Sequence, residues 1–383
     1  MPVYLDHNAT TRVRPDVAAL IAEIMTEEGN PSSVHSHGQA ARKRVENARR
    51  QIGKALSARA EDVIFTGGGT EALNLALNSV ITSGRAKRLL VSAVEHEAIA
   101  VTAEASGLPV ETVPATEAGV ADLAWLGERL QRWNDVDEGV PVLALMLANN
   151  EIGTIQPVAE AAGLVKARNG LLIVDAVQSA GKIPVDFAGL GADYMAISGH
   201  KFGGPQGVGA LVAACDAPVS RHSHGGGQEK GRRSGTLNVA GIAGMGLALE
   251  QAVASLADFA ALAALRDKAI DAIRSAHPGV VVLGETAPRL PNTIGLAVPG
   301  WRGETQVLAM DLAGVSISAG AACSSGKAKA SKIGTALRLD ETLSEGVIRI
   351  SLGWPTTEDD VDAAISAWTG AWARIQPKIK ETA

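Results

Sequence analysis

The feature that most constrains the fold of this chain is a regular alternation of short apolar runs with longer amphipathic runs. The apolar runs are rich in β-forming residues and are bounded by Gly, Pro, Asn or Asp; they lie at 63–65, 88–92, 142–148, 171–175, 194–198 and 208–213. Stretches with helical spacing lie between several of them, at 70–83, 97–105, 123–133 and 158–169. Alternating strands and helices favour a mostly parallel sheet with helices on both faces. The sequence therefore predicts an α/β fold.

The pattern changes after Gly241, which marks a second part of the chain. A long Ala/Leu-rich helix is predicted to run to about His277, and Pro278-Gly279 is expected to end it. The segments that follow indicate strands covered by helices; they are 280–283, 293–297, 303–312, 315–318, 346–351 and 357–374. A chain of 383 residues is long enough for two domains. We expect a large α/β domain at 15–255 and a smaller α+β domain made of 1–14 and 256–383.

Composition argues against several classes of partner and location. The formal charge of −6 and an aromatic content of 3% give no basis for binding nucleic acid or anionic lipid. Two cysteines, Cys215 and Cys323, form neither a disulfide framework nor a metal motif, so no metal is expected. The N-terminus lacks a signal-like pattern. The apolar stretch 239–265 could be a membrane span, but Glu250 and Asp258 interrupt it, which favours a buried helix. A cytoplasmic protein is expected.

A glycine-rich turn, Thr66-Gly67-Gly68-Gly69-Thr70-Glu71, follows a predicted strand and opens a predicted helix. Glycines allow close approach of the backbone to an anion, and the N–H groups at a helix start can hold it. Thr70 can act either as an N-cap or as a hydroxyl donor to phosphate. A turn without any ligand is the alternative, since the segment is neither a dinucleotide fingerprint nor a P-loop.

Asp175 ends one predicted buried strand, and Lys201 follows another. Asp175 can be a helix N-cap or the counter-ion of a cationic ring nitrogen, because a buried carboxylate needs a partner. Lys201 lies in Ser198-Gly199-His200-Lys201-Phe202-Gly203, among small residues, where it can be a loop lysine or a Schiff-base lysine. A phosphate cradle, a partner for the ring nitrogen and a Schiff-base lysine are the three parts that pyridoxal 5′-phosphate (PLP) requires.

The sequence resembles the class V aminotransferase family of fold-type I PLP enzymes, and within it the cysteine desulfurases of the NifS/IscS type. The resemblance runs nearly end to end, and the segments that carry it are 4–11 (YLDHNATT), 29–33 (GNPSS), 95–97 (EHE), 149–153 (NNEIG), 198–201 (SGHK), 233–236 (RSGT), Cys323 and 349–353 (RISLG). It implies a fold-type I transferase, with a mostly parallel seven-stranded type of sheet in the large domain. It also implies PLP as cofactor and a homodimer with shared active sites.

The resemblance implies a set of cofactor contacts. Lys201 matches the Schiff-base lysine, Asp175 the partner of the pyridine nitrogen, Gln178 the ligand of the phenolic oxygen and His96 the residue stacked on the ring. The phosphate is expected to contact Gly69, Thr70, Ser198, His200 and, reaching across from a neighbouring copy, Thr236. A capping or core histidine is the alternative for His96.

The resemblance also implies the substrate and the reaction. Asn149 and Arg349 match positions that hold the carboxylate of L-cysteine, for which the planar fork of arginine is well suited. Cys323, in a stretch of small polar residues, matches the nucleophile that takes the substrate sulfur as a persulfide. Lys201 is expected to remove the Cα proton and His96 to transfer protons.

The expected products are alanine and sulfur passed to acceptors such as iron–sulfur cluster assembly proteins or thiolation enzymes. Two alternatives stay open at this point. One is another class V activity, such as an aminotransferase or a selenocysteine lyase. The other is a catalytically idle scaffold that binds sulfur-transfer partners.

Overall fold

A computed structural model of the chain describes residues 2–320 and 331–382. Its helices are α1 Pro15–Met25, α2 Ser36–Ala55, α3 Gly69–Thr82, α4 Glu97–Glu104, α5 Leu123–Gln131, α6 Asp135–Glu138, α7 Val158–Lys166, α8 Val239–Ala254, α9 Leu256–Ala276, α10 Gly303–Leu312, α11 Lys332–Ala336, α12 Glu341–Glu345 and α13 Glu358–Thr382. Short 3₁₀ turns lie at Ala60–Asp62, Gly199–Lys201 and Gln228–Gly231.

The strands fall into a large sheet, a small sheet and a parallel pair. They are β1 Val3–Tyr4, β2 Val63–Thr66, β3 Leu89–Ser92, β4 Val110–Val113, β5 Val142–Ala144, β6 Leu171–Asp175, β7 Tyr194–Ser198, β8 Gly209–Ala213, β9 Val281–Val282, β10 Thr293–Ala297, β11 Val315–Ser316, β12 Ser318–Ala319 and β13 Val347–Ser351. Each apolar run predicted as a strand in the first part of the chain overlaps one of them.

Seven of the described strands form the large sheet, in the order β2-β8-β7-β6-β5-β3-β4. The pairs within β7-β6-β5-β3-β4 are parallel, while β8 runs antiparallel to both of its neighbours. Only about ten residues join β7 to β8, whereas a parallel crossover needs a dozen or more. The chain therefore reverses its direction, and β8 pairs antiparallel with β7. The predicted α/β fold with a mostly parallel seven-stranded sheet is confirmed.

The second part of the chain builds a smaller sheet, in the order β12-β13-β10-β9, with antiparallel pairing. Leu5 joins an apolar core otherwise formed by residues 259–372, whereas the two cores around the large sheet draw on residues 17–252. This grouping supports the division at 255/256, with 1–14 in the small domain, which stays a prediction. A further cluster that includes Ile152 and Val347 packs the two parts together.

The prediction of one long helix from Gly241 to His277 is wrong in one respect, because the structure has two helices that are separated at Ser255. Helices α8 and α9 meet there at an angle of 66°. The Ser255 hydroxyl donates to the Gln251 carbonyl at 2.9 Å, a bond that competes with the helical ladder, and the Arg14 guanidinium donates to the same hydroxyl at 3.4 Å. Within residues 2–320 and 331–382, no single helix is long and apolar enough to cross a membrane, and only the bent pair α8–α9 passes that test jointly.

Candidate active site

Three predicted site segments meet at one edge of the large sheet. Asp175 ends β6 and pairs with Ala196 of the parallel strand β7. Ser198, which ends β7, pairs with Gly209, and Gly209 pairs with Thr66 at the end of β2. The carboxyl ends of β2, β6 and β7 therefore share the edge where open α/β sheets bind ligands. One cleft there is lined by Gly69, Thr70, His96, Asp175, Gln178, Ser198, His200, Lys201 and Arg349.

The glycine turn between β2 and α3 brings backbone close to the segment that follows β6. Helix α3 begins at Gly69 with Gly68 as its N-cap, so the N-cap alternative for Thr70 is wrong. A Cβ at Gly69 would lie 2.7 Å from Val177 Cγ2 and 3.3 Å from Ser198 Cβ, a space that suits glycine. The first N–H groups of a helix have no acceptor inside it, so this cleft-lining helix start can bind an anion.

Asp175 presents a buried carboxylate at the sheet edge. Its Oδ1 accepts a hydrogen bond from Val177 N at 2.9 Å, within a turn and not a helix, so the helix N-cap alternative is wrong. Burial raises the pKa of Asp175, and the charges of His96 and Lys201 act in the opposite direction. Among the described residues, Oδ2 has no hydrogen-bond partner, which leaves one oxygen for a cationic group in the cleft.

Lys201 follows β7 in a 3₁₀ turn and points its amine into the cleft. Nζ donates to the carbonyl oxygens of Asn8 at 2.6 Å and Ala9 at 2.9 Å. Burial lowers the pKa of Lys201 from 10.5 to about 8, and the charge of Arg349 acts in the same direction. Roughly a tenth to a fifth of this amine is therefore neutral near physiological pH, far more than for an ordinary lysine. A nucleophile or base must be neutral, and the loop-lysine alternative does not fit.

His96 is both a helix cap and a residue that lines the cleft. It is the N-cap of α4, and its Nδ1 accepts a hydrogen bond from Ala98 N at 3.0 Å. Because Nδ1 accepts, a neutral His96 carries its proton on Nε2. The ring also lines the cleft, so the cap fixes the tautomer of a histidine that faces the ligand space.

Gln178 and His200 extend the polar lining. Gln178 Nε2 donates to the Asn8 carbonyl at 2.9 Å, and its Oε1 accepts from Lys182 Nζ at 2.6 Å. His200 Nδ1 lies 3.2 Å from Thr10 Oγ1. Burial lowers the pKa of His200 to about 4, so this ring is neutral at physiological pH and serves as a hydrogen-bonding group.

Arg349 lies in β13 of the small sheet and reaches the cleft from the opposite side. Its Nη2 pairs with Asp6 Oδ1 at 2.6 Å and its Nη1 donates to the Asn150 carbonyl at 3.1 Å. Its buried Nε has no partner among the described residues. The guanidinium is therefore held at the cleft by the chain while it keeps an open donor for a carboxylate.

Two predicted site residues, Asn149 and Thr236, are not among the described residues that line this cleft. Asn149 is buried, its Nδ2 donates to the Val94 carbonyl at 3.1 Å, and its Oδ1 accepts from two backbone N–H groups of the next turn. Its amide is thus used to hold the 149–153 loop. Thr236 is exposed on the surface of the chain. Cys323 lies outside the described residues.

Sequence reasoning missed two residues at the base of the cleft, Asn8 and Lys182. Asn8 accepts bonds from Lys201 and Gln178 through its carbonyl and from Lys182 through Oδ1. Lys182 is 3% exposed. Its position between Ala180 and Ile183, in an otherwise apolar run, was an available signal for a buried lysine; no pattern singles out Asn8.

Two buried carboxyl groups were also missed, Glu95 and Glu151. Burial raises the pKa of Glu95 to about 8, helped by the charge of Asp175, and burial raises the pKa of Glu151 to about 7. Both line the cleft, and in each case Oε2 has no partner within the described parts of the chain. Lys332, just after residues 321–330, donates its Nζ to the Glu95 carbonyl at 2.7 Å.

Comparisons with known proteins agree with this architecture. A family model for class V aminotransferases matches residues 3–364. The chain is 37% identical over 384 residues to an IscS-like cysteine desulfurase of Mycobacterium tuberculosis, with 97% of each chain covered. It is 38% identical to the cysteine desulfurase IscS of Dictyoglomus turgidum, over 94% of this chain and 92% of that one.

A comparison with a solved structure supports the same family on the basis of the fold. The NifS-like protein of Rickettsia africae superposes with a TM-score of 0.89 and 31% identity, over 97% of this chain and 100% of that one. The match confirms the expected fold-type I architecture. The chain therefore belongs to the class V aminotransferase family and, within it, to the cysteine desulfurases of the NifS/IscS type.

Proposed function

We propose that the chain removes the sulfur atom of L-cysteine with the aid of PLP held at Lys201, producing alanine and a persulfide on Cys323. The observation that carries this proposal is Lys201 itself, an amine with a pKa of about 8 in a cleft shared with Asp175 and the glycine turn. Two relatives that match nearly the whole chain are named cysteine desulfurases, which favours L-cysteine over other amino acids as substrate.

Besides Lys201, the described residues fit PLP in two independent ways. The cradle at Gly69, which a Cβ would fill, and the start of α3 suit a phosphate, with Thr70, Ser198 and His200 close by. The open oxygen of Asp175 suits a protonated ring nitrogen. Bound PLP supplies an electron sink for the electrons released when the substrate Cα is deprotonated.

The chain's own residues orient L-cysteine and move its protons. Arg349 binds the carboxylate through its guanidinium, in exchange for Asp6, and Asn149 shapes the adjoining loop. The Lys201 amine, once neutral, takes the Cα proton as general base. His96 gives and receives protons through Nε2, because Nδ1 is occupied by its cap bond.

Sulfur transfer is assigned to Cys323. Its thiolate attacks the substrate sulfur, so an S–S bond forms while the Cβ–S bond breaks. The carbon skeleton leaves as alanine after protonation, and Cys323 keeps the extra sulfur as a persulfide. One cysteine substrate and one enzyme thiol thus give one alanine and one persulfide, with no external oxidant.

The proposal extends to partners and location. Thr236, exposed on its own chain, reaches the phosphate of a second copy, so that a homodimer shares its two sites. The persulfide passes to sulfur acceptors such as iron–sulfur cluster assembly proteins or thiolation enzymes. We place this activity in the cytoplasm, without nucleic-acid or membrane partners.

Two variants test these assignments separately. Purified enzyme incubated with L-cysteine alone, without a keto acid, is expected to release alanine and to gain 32 Da on the peptide that contains Cys323. Lys201→Ala should abolish alanine release. Cys323→Ser should keep the visible PLP absorbance and lose the persulfide. A Cys323→Ser protein with undiminished desulfurase activity would refute the nucleophilic assignment, and a colourless protein would refute the use of PLP.

A further inference from the structure

A buried lysine with only amide partners lies beneath the cleft. Lys182 Nζ donates to Asn8 Oδ1 at 2.8 Å and to Gln178 Oε1 at 2.6 Å. No carboxylate contacts Nζ in the described parts of the chain, and the titratable groups around it are all bases: His7, His200, Lys201 and Arg349. Burial and the charges of Lys201 and Arg349 hold the pKa of Lys182 well below the usual range, and two N–H groups of the amine are used by these amide oxygens.

The orientation of Asn8 is determined by its other partners. Its Nδ2 donates to the Asn150 carbonyl at 3.1 Å and to Thr293 Oγ1 at 2.9 Å. A carbonyl oxygen can only accept, so the NH₂ group must face Asn150 and Oδ1 must face Lys182. Asn292 Nδ2 also donates to this Oδ1, at 3.1 Å. Asn8 therefore offers Lys182 a fixed acceptor.

The same logic determines the orientation of Gln178. Lys182 occupies Oε1, and Nε2 donates to the Asn8 carbonyl at 2.9 Å. A flipped amide would set Oε1 against that carbonyl, so the observed orientation is the one that satisfies both contacts. Without Lys182, Oε1 of this 5% exposed residue would lack a donor, and the side chain would be free to leave its place.

Gln178 keeps one N–H group for a ligand. Nε2 carries two N–H groups, and only one has a partner within residues 2–320 and 331–382. Lys201 Nζ donates to the same Asn8 carbonyl, so the nitrogens of Gln178 and Lys201 are neighbours on one oxygen. We propose that Lys182 is a positioning residue that holds this open N–H toward the phenolic oxygen of PLP, an inference that rests on the proposed function.

This placement has a spectroscopic consequence in the loaded enzyme. When PLP is bound, a donor from Gln178 would favour the charged form of its phenolic oxygen and would thereby lower the pH at which the bound cofactor loses a proton. Loss of the donor should raise that pH, which can be followed because the two protonation states absorb at different wavelengths in the near-ultraviolet and visible range. The absorbance of the holoenzyme thus reports on the Gln178 amide without any turnover.

The experiment is a pH titration of that absorbance in purified holoenzyme. Lys182→Met, which keeps the length of the side chain and removes the donor, should raise the midpoint by about one pH unit. Gln178→Ala should raise it similarly, and Lys182→Met should add nothing in the Gln178→Ala background. Asn292→Ala is the matched control, because it removes a buried bond to the same Asn8 Oδ1 and spares Gln178; its midpoint should equal that of the wild type.

Two results would overturn the inference while leaving the proposed function intact. One is a titration midpoint in Lys182→Met that equals that of the wild type. The other is a further rise of the midpoint when Lys182→Met is added to Gln178→Ala. Should Lys182→Met fail to fold, an unchanged midpoint in Gln178→Ala overturns the inference by itself, since Lys182 would have nothing to position. A wild-type protein without the imine absorbance would contradict the proposed function instead.

Discussion

At the scale of single residues, the site depends on bases and acids that burial has brought toward neutrality. Lys201 is the clearest case, because its amine lies between two carbonyl oxygens, and no carboxylate bonds to it among the described residues. Desolvation penalises the charged form, and Arg349 adds to that penalty. The charges of Asp175 and Asp6 oppose the effect, and the carboxyl of Asp175 is itself buried.

Loading of the cofactor should therefore depend on pH through Lys201. Only the neutral amine can attack the PLP aldehyde, so the rate of incorporation into cofactor-free protein should rise with pH and level off above about 8, not near 10.5. Stopped-flow absorbance measures this rate. Arg349→Gln removes the second cause of the lowered pKa and should move the midpoint upward, whereas Arg302→Gln, exposed at the cleft rim, should not. A midpoint near 10 in the wild type would contradict the prediction.

Glu95 gives a prediction about stability. Its native pKa of about 8 lies above the ordinary value of 4.5, so the native state holds more protons than the unfolded state between those values. The stability from this group is therefore complete below about pH 4.5 and is lost as the pH rises through 8. In the wild type, this group should lower the free energy of unfolding by about 2 kcal/mol between pH 6 and 8, and Glu95→Gln should abolish that decrease. Urea unfolding of the cofactor-free protein measures it.

A neighbour provides the control for that measurement. Glu97 is exposed two positions further on, so Glu97→Gln should leave the pH dependence of unfolding as in the wild type. If the free energy of unfolding depends on pH equally in the wild type and in Glu95→Gln, Glu95 is ionised in the native state and the prediction is wrong.

The residues that sequence reasoning found and missed differ in a physical way. Lys201, Asp175 and Gly69 follow strand ends, and the edge of a parallel sheet brings such positions together. Asn8 and Lys182 meet through packing of the N-terminal segment beneath the sheet edge, a contact between residues 174 positions apart that no local pattern encodes. Asn149 was assigned to the substrate, but its amide is used by backbone groups around it.

At the scale of elements, the start of α3 lies against the end of β7, and we propose that the two form one anion-binding unit. Their close approach depends on Gly69, where a Cβ would lie 3.3 Å from Ser198 Cβ at the end of β7 and 2.7 Å from Val177 Cγ2 after β6. The strand runs and most helices could be predicted from hydrophobic period and turn residues. The direction of β8 follows from the short link that precedes it. The break between α8 and α9 follows from side-chain hydrogen bonds at Ser255. The spacing of hydrophobic residues reveals neither feature.

Gly69→Ala tests this unit. The added methyl group should displace the start of α3 from Ser198 and Val177 and weaken PLP binding at least about tenfold, as measured by equilibrium titration of cofactor-free protein. Pyridoxal, which lacks the phosphate, should be affected much less. Gly163→Ala in α7 is a matched control, because its Cβ would meet no atom within 4 Å; it should bind PLP normally and gain up to about 1 kcal/mol of stability. Equal weakening for pyridoxal and PLP would exclude a phosphate cradle at Gly69.

At the scale of the whole molecule, the cleft draws on both parts of the chain. Lys201 and Asp175 belong to the large sheet, Arg349 to the small sheet, and Asn8 bonds to residues of both. Residues from the two parts of the chain can thus hold the substrate and the cofactor at a fixed distance from each other. Thr236 does not share this arrangement, because it is exposed and lies outside the lining of its own cleft. A second copy of the chain would account for its place in the predicted phosphate site.

Subunit complementation tests that arrangement directly. Lys201→Ala removes the proposed base of its own site, and Thr236→Ala removes the donor that we propose each subunit lends to its neighbour. In a mixed dimer of the two variants, one site contains both Lys201 and Thr236, and random mixing should restore about a quarter of the wild-type activity. The measurement is alanine release after co-refolding, against each variant alone at the same total concentration. If sites are not shared, the activity of the mixture will equal the mean of the two variants, because each defect then stays within its own subunit.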